Sequence, residues 1–240
     1  MSRPLSATTS PDVPADALVL VPVGSLEQHG PHLPLDTDAV IAEAVAHCVA
    51  DRLGRREVLV APPIVYAASG EHQMFPGTAS IGSAALSHLL IELTRSMRTW
   101  ARDVVFVNAH GGNSTALTRA VSRLAAEGHS VGWVPCVTEG ADAHAGRTET
   151  SLMLHLRPAD VRFDLAEAGN ITPVAELLPA LVAGGVGAVS ANGVLGDPAG
   201  ASPALGEHQL KLMADGVTAL VRDGMPDERG MLRMASAPVP

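Results

Sequence analysis

Short apolar segments of strand length alternate with longer segments of helical periodicity along most of this sequence. We predict strands at residues 17–24, 58–61, 103–108 and 130–135. We predict helices that begin near Asp38, Ser83 and Asn113 or Ser114, and a last helix over residues 204–220. Asp38 and Ser83 are possible N-caps, and residues 183–197 are predicted as a strand-and-loop segment. This alternation is typical of an α/β fold, with a parallel sheet covered by helices on both faces.

The composition suits such a core and a single domain. Hydrophobic residues make up 47% of the 240 residues and aromatic residues only 2%, so Val, Leu, Ile and Ala must fill the interior. Those side chains pack well in a sheet that is buried on both faces. We predict one catalytic domain over residues 17–223. Residues 1–16 and 224–240, with their Pro, Ser and Ala, are predicted to be flexible tails.

Several classes of function are disfavoured by charge and patterning. A formal net charge of −9 and few aromatic residues argue against a nucleic-acid surface, which needs a basic face. No apolar run approaches the length of a membrane span, and the first residues lack the pattern of a signal peptide. Cys48 and Cys136 do not form a disulfide framework. We therefore predict a cytoplasmic protein with neither nucleic-acid nor membrane partners.

The first polar cluster, GSLEQHGPHLPLDTD at residues 24–38, follows the first predicted strand. Glu27 and His29 are two residues apart, so they project from the same side of an extended segment. Two prolines and a glycine stiffen the loop that returns Asp36 or Asp38 towards them. Carboxylate and imidazole groups without cysteine suit zinc, iron or manganese. The alternative is a polar loop at the sheet edge with ordinary hydrogen bonds.

The second cluster, NAHGGN at residues 108–113, follows the clearest buried strand. It places His110 at the carboxyl edge of the sheet, where ligands of parallel α/β folds bind. Gly111 and Gly112 allow a ligand or another backbone segment to approach closely. Two other interpretations stay open: a tight turn into a helix capped by Asn113, and an anion site at that helix start.

Two further clusters are less specific. In HAGRTETS at residues 144–151, His144 is a candidate proton carrier, and Glu149 is either a further ligand or an ordinary acidic residue of a first helical turn. SGEHQMFPGT at residues 69–78 contains Ser69, Glu71 and His72, and it could line a substrate pocket or form a surface loop.

These four motifs, in this order, resemble the creatininase family of metal-dependent amidohydrolases over roughly residues 18–220. The resemblance implies a three-layer α/β/α sandwich with a mainly parallel central sheet. It also implies two divalent metal ions, zinc and/or iron, with manganese possible. By position in the motifs, Glu27 and His110 are implied ligands of one ion, His29 of the other, and Asp38 the bridge between them. Asp36 is then a loop residue.

One position departs from the pattern of creatininase itself. Creatininase completes its site with a glutamate in the second motif, and Gly112 stands at that position here. This departure disfavours creatinine as the substrate, and Glu149 could supply the missing oxygen ligand. For such a hydrolysis we predict that His144 acts as a general acid, handing a proton to the leaving amine. Substrate-binding positions are then expected at Ser69, Glu71, His72, Gly111 and Gly112.

Within the family, the motifs look like those of a peptidase subgroup. This likeness is carried by the segments EQHGPHLPLDTD, ASGEHQMFPGTASIG, ARDVVFVNAHGGN, HAGRTETSLMLHLRPADVR and GVGAVSANGVLGDP. It implies a metal-dependent peptide hydrolase that releases the modified C-terminal Val-Tyr portion of a short ribosomally made precursor peptide, towards a redox cofactor. It also implies a homo-oligomer, a hexamer or similar. The alternatives are a hydrolase of a small cyclic amide or formamide, and a non-enzymatic binding module stabilised by metal.

Overall fold

The computed structural model describes residues 3–54 and 57–235. The strands are β1 (Arg3–Pro4), β2 (Ala17–Val23), β3 (Val58–Val60), β4 (Ala101–Asn108), β5 (Val131–Pro135), β6 (Met225–Pro226) and β7 (Leu232–Arg233). The α-helices are α1 (Thr37–Leu53), α2 (Gly82–Met97), α3 (Ser114–Ala126), α4 (Arg147–Leu156), α5 (Val174–Gly184) and α6 (Pro203–Asp223). None of these helices is both long and apolar enough to span a membrane.

The central sheet is parallel throughout, with the strand order β1-β3-β2-β4-β5. Strands β2 and β4 lie side by side in the middle, with Val19 opposite Val104 and Val23 opposite Asn108. The two strands therefore end together, and the backbone N–H of Ala109 still donates to the carbonyl of Val23 at 3.0 Å. This register brings the polar segments that follow β2 and β4 to one edge of the sheet.

Helices cover both faces of this sheet, as predicted. Leu20 of β2 packs in one hydrophobic cluster with residues of α1 and α6, whereas Val19 and Val21 pack in a second cluster with residues of α2 and α3. Successive side chains of a strand point to opposite faces, so β2 contributes to both clusters. The prediction of a three-layer α/β/α sandwich is confirmed.

The predicted N-caps of the first two long helices are wrong. Helix α1 begins at Thr37 after Asp36, and Asp38 lies inside its first turn, almost completely buried. Helix α2 begins at Gly82, so Ser83 is likewise an internal residue. In α1 the carboxylate of Asp38 is buried and contacts Ser25, His29 and His110 at the sheet edge instead of capping the backbone of the helix.

The described parts of both predicted tails make contacts with the domain. Arg3–Pro4 pairs with β3, and Leu5 packs on the second hydrophobic cluster. At the other end, β6 and β7 form a small hairpin, and Trp133 of β5 donates from Nε1 to the carbonyl of Arg229 at 2.9 Å. Proline is compatible with an edge strand, so the composition of these segments did not reveal the pairing. Residues 1–2 and 236–240 lie outside the described residues.

The prediction for residues 183–197 is also only half right. This segment holds the end of α5, a 3-10 turn over Val186–Ala188 and a loop. It contains no strand, only an isolated bridge between Leu195 and His144. Glycines interrupt the apolar residues of this segment, so no continuous ladder of strand hydrogen bonds forms. The resulting loop reaches the sheet edge.

Candidate metal centre

The polar cluster lies at the carboxyl ends of β2 and β4. The loop after β2 carries Glu27 and His29 and then turns into α1, whose first turn brings Asp38 back to them. A Cβ on Gly24 would lie 2.3 Å from the backbone N of Ala39, so only glycine lets the start of α1 approach the end of the strand this closely. His110 lies two residues after the end of β4 and completes the arrangement.

Glu27, Asp38 and His110 form one buried group of possible ligands. His110 Nε2 lies 3.2 Å from Glu27 Oε2, and His110 Nδ1 lies 3.4 Å from Asp38 Oδ2. The three side chains are shielded from solvent, with residue exposures of 0%, 1% and 6%. The structure thus brings together Glu27 and His110, which the family resemblance assigned to one ion, and Asp38, which it assigned as the bridge between the two ions.

His29, His144 and Glu149 form a second group. His29 Nε2 lies 3.9 Å from Glu149 Oε2 and 3.2 Å from Asp38 Oδ1. The ring centroids of His29 and His144 are 4.3 Å apart. Asp38 therefore faces both groups, with Oδ1 towards His29 and Oδ2 towards His110. Glu149 thus offers a carboxylate oxygen beside His29.

The electrostatics of the cluster favour a bound cation. Burial raises the pKa of Glu27 to about 7, and neither of its carboxylate oxygens has a hydrogen bond of good geometry among the described residues. Burial also raises the pKa of Glu149 to about 7. Ionised carboxylates are costly to bury without a positive partner. A donor set of carboxylate and imidazole groups, with carboxylate oxygens that lack a hydrogen bond, fits divalent ions such as zinc, iron or manganese.

The histidines of the cluster differ in charge. Burial opposes protonation of His29, but the Asp38 carboxylate outweighs it and raises the pKa of His29 to about 10. Burial and nearby His110 lower the pKa of His72 to about 4. Burial and nearby His29 hold the pKa of His144 well below its usual value. His72 and His144 are therefore neutral near pH 7, and each has one nitrogen lone pair available.

Three polar residues that were not predicted as site residues make hydrogen bonds in or beside the cluster. Ser25 Oγ donates to Asp38 Oδ2 at 2.6 Å. Gln28, almost fully buried, contacts both His72 and His144. Asn113 makes no side-chain cap on α3; its Nδ2 donates instead to the carbonyl of Gly24 at 2.8 Å. Ser25 and Gln28 lie within the first motif, and that position was the only available signal.

A cavity of about 850 Å³ opens above the cluster. Four of the five predicted substrate-binding residues line it, namely Glu71, His72, Gly111 and Gly112. The fifth, Ser69, is completely buried, and its backbone N–H donates to Ser80 Oγ at 2.9 Å. The opposite wall is formed by apolar side chains of helix α5: Val174, Leu178, Leu181 and Val182.

The carboxylate of Glu71 fills the space beside Gly112 that a side chain would occupy. A Cβ on Gly112 would lie 2.2 Å from Glu71 Oε1 and 2.4 Å from His110 Nε2. Glu71 Oε1 itself is 3.3 Å from His110 Nε2. The carboxylate beside His110 thus comes from the loop after β3, and no side chain could be added at residue 112 without displacing it.

Comparison with known proteins identifies the family. The model of the creatinine amidohydrolase (creatininase) family matches residues 6–221. The chain belongs to the creatininase family. A mycofactocin precursor peptide peptidase of Mycolicibacterium smegmatis is 54% identical over 218 residues, which are 90% of this chain and 88% of that protein. The peptidase of that name from Mycobacterium tuberculosis is 52% identical over 236 residues, 95% and 94% of the two chains.

Solved structures agree with this assignment. A mutant creatininase complexed with creatine superposes with a TM-score of 0.78 at 28% identity, over 92% of this chain and 98% of that one. A manganese form of creatininase gives the same TM-score at 27% identity and the same coverage. A zinc–zinc form of a creatininase mutant gives 0.70 at 28% identity, over 86% and 90%. The predicted family, and with it an enzyme that hydrolyses C–N bonds, is confirmed.

Proposed function

We propose that this chain is a metal-dependent peptidase that acts on the mycofactocin precursor peptide and releases its modified C-terminal Val-Tyr portion. The observation that carries the proposal is the buried carboxylate and imidazole cluster at the base of an open cavity with an apolar wall. The name of the relatives that are 52–54% identical supports the choice of substrate. The cavity above this cluster suits the end of a short peptide rather than a folded protein.

Two divalent ions, zinc and/or iron or else manganese, are proposed as the cofactors. Glu27 and His110 would hold one ion, His29 and Glu149 the other, with Asp38 between them. The existence of zinc and manganese forms of creatininase with this fold supports both the number and the type of ion. When bound, such ions polarise an amide carbonyl and make a water molecule more acidic.

His144 is the proposed proton carrier. Its Nε2 is bonded to the main-chain oxygen of Gln28 at 2.8 Å, which leaves Nδ1 facing Glu27 Oε1 at 3.8 Å. Nδ1 of neutral His144 can take a proton from the water that adds to the carbonyl carbon. It then gives this proton to the nitrogen of the leaving amine as the C–N bond breaks. His144 is therefore a base before it is the predicted general acid.

Residues of the cavity wall are proposed to bind the oxyanion and the substrate. Backbone N–H groups of Gly111 and Gly112, at the start of the turn before α3, are proposed to hold the oxyanion that develops on the carbonyl. Glu71 and His72 line the same wall. The apolar side of the cavity, on α5, would take the valine side chain and the aromatic portion of the peptide.

Helix α5 also supports the prediction of a homo-oligomer. Ten of its eleven residues are uncharged and none is buried. A helix that is apolar on all sides is usually covered in the working protein. One side of α5 faces the cavity. We propose that a second copy of the chain covers another side of this helix. A hexamer or similar assembly and a cytoplasmic location are kept as predictions.

The test uses the purified full chain, the modified precursor peptide and mass spectrometry. We expect metal-dependent release of a C-terminal fragment, which Asp38→Asn abolishes and Asp36→Asn leaves intact. Bound metal without cleavage of the peptide, but with hydrolysis of a cyclic amide or formamide, would support the small-substrate alternative. Bound metal with no hydrolysis of any of these amides would support a binding module. No metal and no cleavage would refute the proposal.

A further inference from the structure

Gln28 lies between two histidines of the site, and its side chain has a fixed orientation. Gln28 Oε1 accepts a hydrogen bond from the backbone N–H of Gly30 at 2.9 Å. The other end of the carboxamide, Nε2, is therefore the donor that faces the cluster. It lies 2.8 Å from His72 Nδ1, 3.0 Å from the carbonyl of Gly193 and 3.0 Å from His144 Nε2.

The number of hydrogens decides between these three contacts. A carboxamide nitrogen has only two hydrogens to donate. His144 Nε2 also lies 2.8 Å from the main-chain oxygen of Gln28, which is only an acceptor. That short contact is favourable only if His144 Nε2 carries a hydrogen, and a protonated ring nitrogen cannot accept one. The two hydrogens of Gln28 Nε2 therefore go to His72 Nδ1 and to the carbonyl of Gly193.

This assignment fixes the tautomer of each ring. His72 Nδ1 accepts from Gln28, so the hydrogen of neutral His72 is on Nε2, which lies 3.2 Å from Glu27 Oε1. His144 carries its hydrogen on Nε2, so the lone pair of Nδ1 points towards Glu27 and the second ligand group. We propose that Gln28 is a positioning residue: its main chain and side chain set the tautomers of His144 and His72 at once.

Gly193 takes part in the same hydrogen-bond arrangement around Gln28. Its φ is +81°, and a Cβ there would lie 2.0 Å from Gln28 Oε1. The glycine therefore leaves room for the carboxamide and presents its carbonyl as the second acceptor. Gly193 is 165 residues away from Gln28 in the chain, so this hydrogen bond links the loop before α6 to the first motif.

The tautomers can be measured directly on the zinc-loaded full chain labelled with 15N-histidine. Long-range 1H–15N spectra distinguish a protonated from an unprotonated ring nitrogen, and His72→Gln and His144→Gln variants identify the signals. We expect an Nε2-protonated pattern for both residues in the unmodified protein. An Nδ1-protonated pattern for either residue in that protein would overturn the proposal, with no need of a variant.

Two substitutions then separate the main-chain and side-chain roles. Gln28→Met removes the donor, so the His72 signals should become those of a tautomer mixture, while His144, held by the main-chain oxygen, keeps its pattern. Gln28→Glu offers only acceptors and should move the hydrogen of His72 to Nδ1. Gln209→Met, on α6, is the matched control and should change neither pattern. Unchanged His72 signals in both Gln28 variants would contradict the side-chain role.

The proposal rests on the site and not on the identity of the substrate. If the peptide is cleaved as proposed, Gln28→Met should lower kcat roughly 10- to 100-fold, as expected for residues that orient ligands, with KM changed much less. A rise in KM alone would mean that Gln28 binds substrate instead and would overturn the positioning role. If no peptide is cleaved but the tautomers are as assigned, only the proposed function fails.

Discussion

The carboxylate of Glu71 occupies the space that any side chain on residue 112 would need. A Cβ at Gly112 would meet Glu71 Oε1 at 2.2 Å, His110 Nε2 at 2.4 Å and the carbonyl oxygen of Ala68 at 2.6 Å. One of these three neighbours is a long side chain that can move, one is a buried ring and one is main chain. Space beside His110 is therefore limited even for a single methyl group.

Gly112→Ala should destabilise the protein and weaken its metal binding. Overpacking of a closed site costs about 1–3 kcal/mol, and His110 would have to shift away from Glu27. Urea unfolding of the metal-free protein measures the first effect, and metal analysis measures the second. Gly111→Ala is the control, because a Cβ at Gly111 would meet nothing within 4 Å. Equal stability of the two variants would contradict the crowding.

Adding Glu71→Ala to Gly112→Ala should restore only part of the lost stability. The truncation removes the contact with Oε1 but leaves those with His110 and Ala68, which are 2.4 Å and 2.6 Å away. The double variant should therefore unfold at a urea concentration between those of Gly112→Ala and the unmodified chain. Complete recovery of the stability would show that the contact with Glu71 alone destabilises the Gly112→Ala variant.

Asp36 and Asp38 are two residues apart and should behave in opposite ways. Asp36 pairs at the surface with Arg157 at 2.9 Å, and both side chains are partly exposed, at 35% and 43%. Such a pair contributes about 0–1 kcal/mol, so Asp36→Asn should keep its metal and its stability. Asp38→Asn should lose bound metal, because its carboxylate faces both ligand groups. Metal analysis after dialysis tests both, and equal metal contents would refute the bridging role of Asp38.

Ser25→Ala should weaken metal binding without abolishing it. The hydroxyl of Ser25 holds one carboxylate oxygen of Asp38 in a completely buried position. Loss of a group that orients a ligand costs roughly 10- to 100-fold in metal affinity. Competition with a chelator measures the affinity, and Ser122→Ala on the exposed side of α3 is the control. If Ser25→Ala binds metal as tightly as Ser122→Ala, the hydrogen bond from Ser25 does not contribute to metal binding by Asp38.

The sequence predicted the fold and several of the side chains that meet at the sheet edge because both signals are local. Apolar runs with β-branched residues marked the strands, and Glu27, His29 and His110 lie within six residues of a strand end. The partners of Gln28 could not be predicted, since they lie 44, 116 and 165 residues away. Asp38 resembled an N-cap for a similar reason, because only the three-dimensional arrangement shows that its carboxylate is buried.

Metal binding should release protons and become tighter as the pH rises. Burial disfavours a charge on His29, but Asp38 raises the pKa of His29 to about 10, so this imidazole is protonated at pH 7 without metal. A metal ion needs the neutral ring and must displace that proton. Metal affinity should therefore rise from pH 6 to pH 9. A pH indicator in weakly buffered solution detects the release, and an affinity independent of pH would exclude His29 as a ligand.

Leu178→Ala should raise KM for the peptide and leave kcat nearly unchanged. Leu178 is 55% exposed in α5 and lines the cavity, so its side chain is available to an apolar part of the substrate. Burying a leucine contributes about 1.5–3 kcal/mol, and each 1.4 kcal/mol corresponds to about a tenfold change in binding. We therefore expect KM to rise roughly tenfold or less, since alanine keeps part of the contact.

Leu212→Ala is the matched control, because Leu212 is 43% exposed on α6 and does not line the cavity. Both truncations affect exposed side chains and should change the free energy of unfolding by about 0.5 kcal/mol or less. The molar mass of each variant in solution must be measured together with its kinetics. If Leu178→Ala changes the assembly while KM is unaltered, a second copy of the chain covers this part of α5, and the peptide binds elsewhere in the cavity.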